Sequence, residues 1–296
     1  MSTGWPRLVD DAAMFPPGNL PLPDAWAAHH AWRSSAYADL VGPLLSSDRR
    51  LPEFGALAAT ATLQPGQRPG EPTDVSVVVT GGAGAIEPAI TWASRIDAVE
   101  LVGIEVALRD EEDLAHNARR AAAVLSQALP AEAIAAVELP RINTSPTGGW
   151  LDAMDVVAES GHRAKYRTGG LDTTAFPDEA ELAAFIHAAL DRELPFKCTA
   201  GLHRAVRNTA GDTGFDQHGF LNVLLATRAC LDGATEVETA QVLAERDADT
   251  VAGQVAALGD AKRTSTRDWF VSFGSCSITE PIDDLVTLGL LAGESE

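Results

Sequence analysis

The chain alternates from end to end between short apolar segments of strand length and amphipathic or alanine-rich segments of helical length. The strand candidates are Arg7–Ala12, Asp39–Ser46, Asp74–Gly81, Ala98–Leu108, Ile134–Arg141, Arg163–Thr168, Pro195–Ala200 and Trp269–Ser275. Most are bounded by Gly, Pro or polar residues. Between and after them lie helix candidates at Asp24–Ser35, Leu51–Ala61, Ala85–Ile96, Glu111–Leu129, Leu151–Ser160, Asp178–Arg192, Phe215–Leu231, Glu236–Leu258 and Ile282–Leu291. In Glu111–Leu129 the acidic first turn suits the positive end of the helix dipole, and Leu114, Ala118, Ala121, Leu125 and Leu129 recur at helical spacing. Residues 55–63 also read as a strand, and Gln64–Thr73 reads as a Pro- and Gly-rich loop.

Strict alternation implies parallel strands joined by helical crossovers. Eight such units in about 250 residues match a closed (β/α)8 barrel of the TIM type, with a doubly wound open sheet as the alternative. Polar residues near the carboxyl ends of many strands favour the barrel, because barrel sites draw on several strand ends whereas open sheets concentrate theirs at a switch point. The expectation is one barrel domain over residues 1–296, with an additional helix between the seventh and eighth strands.

Composition narrows the function classes. The net charge is −20 and the basic residues form no run or stripe, which excludes a phosphate-backbone partner such as nucleic acid. Apolar residues make up 46% of the chain, too many for disorder, yet no stretch approaches the ~20 apolar residues of a membrane span. The start, Met1 to Arg7, lacks signal-peptide features, so the cytoplasm is the expected compartment. Cys198, Cys230 and Cys276 are odd in number and without CxxC spacing, against a disulfide framework or thiolate zinc site.

Lysine is scarce: Lys165, Lys197 and Lys262 are the only three. The first two lie inside the neighbouring sixth and seventh strand candidates. Alternation puts Lys165 and Arg167 on one face with Tyr166 on the other, and Lys197 and Thr199 opposite Phe196 and Cys198. If the large apolar groups face the helices, both lysines point into the barrel, where an ammonium is costly to keep without a use. The plainer reading is a pair of ion-paired residues that hold the barrel together, as in a non-catalytic barrel that binds a metabolite or a partner protein.

Glu105 and Glu138, each flanked by apolar residues in the fourth and fifth strands, supply counter-charges. One of Asp10 and Asp11 should also point inward, since successive residues face opposite ways. Catalytic candidates are therefore Lys165, Lys197, Glu105 and Glu138. Asp10, Glu105 and Glu138 are an alternative ligand set for Mg²⁺ or Mn²⁺ in an enolate-forming enzyme, although no cofactor is the leading expectation.

Turns after the last three strands, Thr168-Gly169-Gly170, Thr199-Ala-Gly201 and Gly274-Ser275-Cys-Ser, sit where barrels bind anions through backbone N–H groups, although plain strand-to-helix turns need glycine too. Arg167, His203, Arg204 and Arg207 add positive charge there, favouring a small anionic metabolite. No GxGxxG, P-loop, HExxH or GxSxG pattern is present. His203 and His218 are the histidines placed to move protons; His29, His30, His116 and His187 fall in helices as surface or packing residues. Cys198 should face the helices, and Cys276 reads as a small structural hydrophobe. A homo-oligomer is compatible with all of this.

As a whole the chain resembles uncharacterised bacterial barrel proteins. Lys165–Gly170 and Lys197–Gly201 resemble the sixth and seventh strands of deoxyribose-phosphate aldolase-type class I aldolases. That resemblance implies a Schiff base on Lys165, perturbed by Lys197. Arg167 and Tyr166 depart from it, standing where that family has small polar residues. Crowding by Arg167 and Lys197 would lower the pKa of Lys165, while the carboxylates oppose the shift, so geometry sets the sign.

Overall fold

The computed structural model describes residues 4–60, 72–109, 112–142 and 145–293. Eight parallel strands form a closed barrel: β1 (Val9–Asp11), β2 (Val41–Ser47), β3 (Thr73–Val79), β4 (Val99–Ala107), β5 (Ile134–Glu138), β6 (Arg163–Arg167), β7 (Phe196–Thr199) and β8 (Phe270–Ser275). Each strand pairs with its neighbours in sequence, and β1 closes the ring on β8 with Asp10 opposite Gly274. This is the expected (β/α)8 architecture, and every strand lies on its expected segment.

Ten helices accompany the strands among the described residues: α1 (Leu22–Arg33), α2 (Leu51–Thr60), α3 (Ile86–Ala93), α4 (Leu114–Ala128), α5 (Gly148–Glu159), α6 (Glu179–Leu190), α7 (Phe220–Leu231), α8 (Glu236–Ala244), α9 (Ala248–Arg267) and α10 (Thr279–Thr287). Residues 51–60 are helical rather than extended; 61–63, and 64–71 of the expected loop, lie outside the described residues. Helix α4 begins at Leu114, three residues later than expected. Asp113 is its N-cap and accepts the His116 N–H, so it binds an orphan donor instead of occupying the first turn.

Between β7 and β8 there are two helices beyond the usual crossover, not one. Residues 236–258 divide because two start signals occur: a Thr235/Glu238 capping box opens α8, and the Asp247 carboxylate accepts the Thr250 N–H to open α9. Helix α7 also starts later than expected. A short antiparallel pair, Asn208–Thr209 with Asp216–Gln217, precedes it, and a Cβ on Gly219 would lie 2.4 Å from the Ala205 carbonyl oxygen. Among the described residues no helix is long and apolar enough to cross a membrane.

The apolar core lies between sheet and helices. Val75, Val77, Val137, Tyr166, Phe196 and Cys198 face outward into it, all buried. The alternate residues therefore point into the barrel. Bulky aliphatic residues usually fill that interior; here charged side chains take many of the places.

Candidate functional site

Six side chains from five strands form one chain of alternating charge across the barrel. Asp10 on β1 meets Lys197 on β7, whose Nζ lies 2.5 Å from both Asp10 Oδ2 and Glu105 Oε1. Glu105 on β4 reaches with Oε2 to within 2.8 Å of Lys165 Nζ on β6, off the ideal hydrogen-bond direction. Lys165 lies 2.9 Å from Glu138 Oε2 at the end of β5, and the other Glu138 oxygen accepts Arg167 Nε at 3.0 Å. Ser272 on β8 donates to Asp10 at 2.9 Å. Three carboxylates balance three cations. Only Arg167, with 43% of its side chain exposed, reaches well into solvent, at the carboxyl-terminal mouth. Coulomb attraction at these separations is what makes the burial tolerable.

The electrostatics settle the sign that the sequence left open. Burial alone pulls the Lys165 pKa down, but Glu105 and Glu138 overcome it and hold the ammonium protonated above the usual lysine range. Lys197 is raised likewise, by Asp10 and Glu105 against its own burial. Burial pushes the Glu105 carboxyl up, yet the two lysines bring it down to about 2. Glu138 is lowered against burial by Lys165 and Arg167. Crowding by like charge is thus outweighed, and at rest both lysines are cations.

All four catalytic candidates come together, and Asp10, not Asp11, is the inward aspartate. Asp11 turns to the helices and pairs with buried His29 at 3.0 Å, a contact missed by treating His29 as packing. Asp10, Glu105 and Glu138 do not converge on an empty centre, because an ammonium stands between each adjacent pair. No group of three metal-ligating side chains gathers among the described residues.

The expected anion-binding turns serve packing first. Thr168 is buried and its hydroxyl donates to the Ala200 carbonyl at 2.5 Å, tying the turn after β6 to the turn after β7. A Cβ on Gly169 would lie 2.6 Å from Gly201 Cα, and one on Gly170 would lie 2.6 Å from Ala175 Cβ. Gly201 has φ +75° with Thr168 O 2.6 Å from its Cβ position, so both space and conformation demand glycine. Gly201→Ala is therefore expected to lower the unfolding free energy by about 1–3 kcal/mol. Gly211→Ala, which meets nothing within 4 Å, should stay within about 0.5 kcal/mol when both variants are unfolded in urea. Ser275 is absorbed in a local turn, donating to the Ser277 carbonyl at 2.7 Å. Thr199 is half-buried at the end of β7.

The positive charge expected from the loop after β7 is already neutralised. Arg204 pairs with Asp284 at 2.8 Å and Arg207 with Glu179 at 2.7 Å. His203 Nδ1 lies 3.1 Å from Glu280, with the Cys276 sulfur 3.7 Å away, and burial raises that thiol. His218 is a structural neutral imidazole rather than a proton shuttle. It accepts from Arg207 at 3.1 Å, donates to the Pro177 carbonyl at 2.9 Å, and burial brings its pKa down to about 4.

Two features escaped sequence reasoning. Ser272 follows the same inward alternation as the lysines and joins the chain through Asp10. The other is a cavity of about 580 Å³ at the amino-terminal end of the barrel, which reaches Asp10, Glu105 and Lys197 from below and also exposes Arg163. Fold and site together define a (β/α)8 barrel with a buried ionic chain leading to its carboxyl-terminal mouth. No protein-family model, curated protein or solved structure matches the chain.

Proposed function

We propose that the protein is a small-molecule enzyme of lyase or isomerase type, acting through Lys165 on a carbonyl compound that also carries a phosphate or carboxylate. The observation that carries this reading is the position of Lys165, inward and 3% exposed, one carboxylate away from Arg167 at the mouth where barrel enzymes react. Arg167 suits an anionic substrate group, since its guanidinium is half-exposed and bound to Glu138 through Nε.

Binding there also addresses the protonated resting lysine. A substrate anion that draws Arg167 away removes one of the cations lowering Glu138, and the carboxylate becomes more basic. Glu138 then takes a proton from the Lys165 ammonium. The neutral amine attacks the carbonyl carbon, the former carbonyl oxygen receives that proton, and departure of this hydroxyl as water with one hydrogen from the nitrogen leaves a protonated imine. Glu105, itself fixed by Lys197, holds the amine in place from the opposite side. The likeness of these two strands to class I aldolases supports the same reading.

Borohydride reduction in the presence of small phosphorylated and carboxylated aldehydes and ketones tests it. The expected product is a secondary amine at Lys165, located by peptide mass spectrometry and lost in Lys165→Arg. Turnover of such a compound without any adduct would end the Schiff-base version. No adduct and no turnover across the panel, with Lys165→Met reducing only stability, would identify the chain as an internal ionic brace.

A further inference from the structure

At the end of the barrel opposite that mouth, the strands begin around the 580 Å³ cavity, a size typical of small-ligand sites. Arg163, the first residue of β6, and Arg267, the last of α9, stand on its wall, with Asp10, Lys197 and Ser272 deeper in. Other half-buried arginines have carboxylate partners: Arg141 has Glu181, Arg192 has Asp155 and Arg207 has Glu179. These two do not. Arg163 makes no hydrogen bond or ion pair among the described residues, and only the more distant field of Asp10 favours its charge. Arg267 donates to the main-chain carbonyls of Phe270 and Pro6, while its Nε is shielded from solvent and unpartnered.

The two guanidiniums also repel one another, and burial disfavours the charge on both, bringing the Arg267 pKa down to about 10. The deeper groups relieve them only in part: the field of Asp10 favours both charges, but that carboxylate is already bound by Lys197 and by the Ser272 hydroxyl. A cation largely withdrawn from water without a carboxylate partner is costly, and an anion that joins it removes the cost. We propose that this cavity binds a small oxyanion, a phosphate or carboxylate group held by Arg163 and Arg267. Guanidinium forks match such groups in pairs of hydrogen bonds. Glu132 and Asp268 on the same wall limit the total negative charge accepted, which suits a small monoanion or dianion over a polyanion.

Calorimetric titration of the full chain with inorganic phosphate, and separately with a short dicarboxylate, tests this. In the Arg167→Gln background, which removes the arginine of the opposite mouth, binding of either ion should remain, and it should weaken at least about tenfold when Arg163→Gln or Arg267→Gln is added. The tighter of the two ions identifies the group the cavity takes. Absence of binding by both ions in that background, or binding undiminished by adding Arg163→Gln or Arg267→Gln, would overturn the proposal. If the arginine variants fail to fold, side-chain ¹⁵Nε resonances of the wild-type protein give the same answer: Arg163 and Arg267 signals should shift saturably with added phosphate, and unmoved signals would refute the site.

Discussion

Glu105→Gln should cost about 3–5 kcal/mol of unfolding free energy, the usual consequence of breaking a buried ionic arrangement from one side. Glu105 is 2% exposed and serves both lysines, so the amide leaves three cations facing two carboxylates inside the barrel. Glu138→Gln should cost less, because its second partner, Arg167, can turn to water. The lysine pKa values are raised in the folded state, so their stabilising contribution is present below the ordinary lysine pKa and is lost as pH rises through the folded value. In Glu105→Gln the folded lysine pKa values fall, so that alkaline loss should be smaller and complete at a lower pH than in the wild type. Urea unfolding between neutral and alkaline pH measures both effects. Adding Lys165→Met to Glu105→Gln should recover part of the loss, since the pair of changes removes the unmatched charge. A cost below about 1 kcal/mol for Glu105→Gln would show that the ionic chain does not hold.

Acidification should destabilise the fold in two successive windows. His218 has a folded pKa of about 4 against an ordinary 6.5, so the folded state prefers the neutral ring. Its contribution is fully present above pH 6.5, falls as pH drops towards 4, and is constant below, amounting to about 3 kcal/mol. Glu105, lowered to about 2 from 4.5, contributes a similar loss of about 3 kcal/mol between those two values. Urea midpoints followed from pH 7 to pH 3 should therefore fall throughout. His218→Gln, which can still donate to Pro177 and accept from Arg207, should flatten the upper window and leave the lower one. An unchanged slope between pH 6.5 and 4 in that variant would remove His218 from this account.

Much of this molecule is legible in sequence because the relevant signals are local. Period-two alternation places Lys165, Lys197, Glu105 and Glu138 inside the barrel, and the same rule identifies one inward aspartate at Asp10-Asp11. Alternating strands and helices lead to the ring without any knowledge of neighbours. Where reading failed, the missing information was a partner distant in sequence. The glycines after β6 and β7 look like anion cradles until Gly169 is seen against Gly201. Arg204 and Arg207 look like free charge until Asp284 and Glu179 stand beside them.

Sequence by itself thus determined the barrel and which ionisable groups enter it, since both follow from spacing along one strand at a time. Tertiary structure alone decided the charge state of the lysines and opened Arg163 and Arg267 onto a cavity. A pKa is the difference between a burial penalty and Coulomb terms set by ångström-scale distances. Those distances exist only once five strands have closed around the same interior.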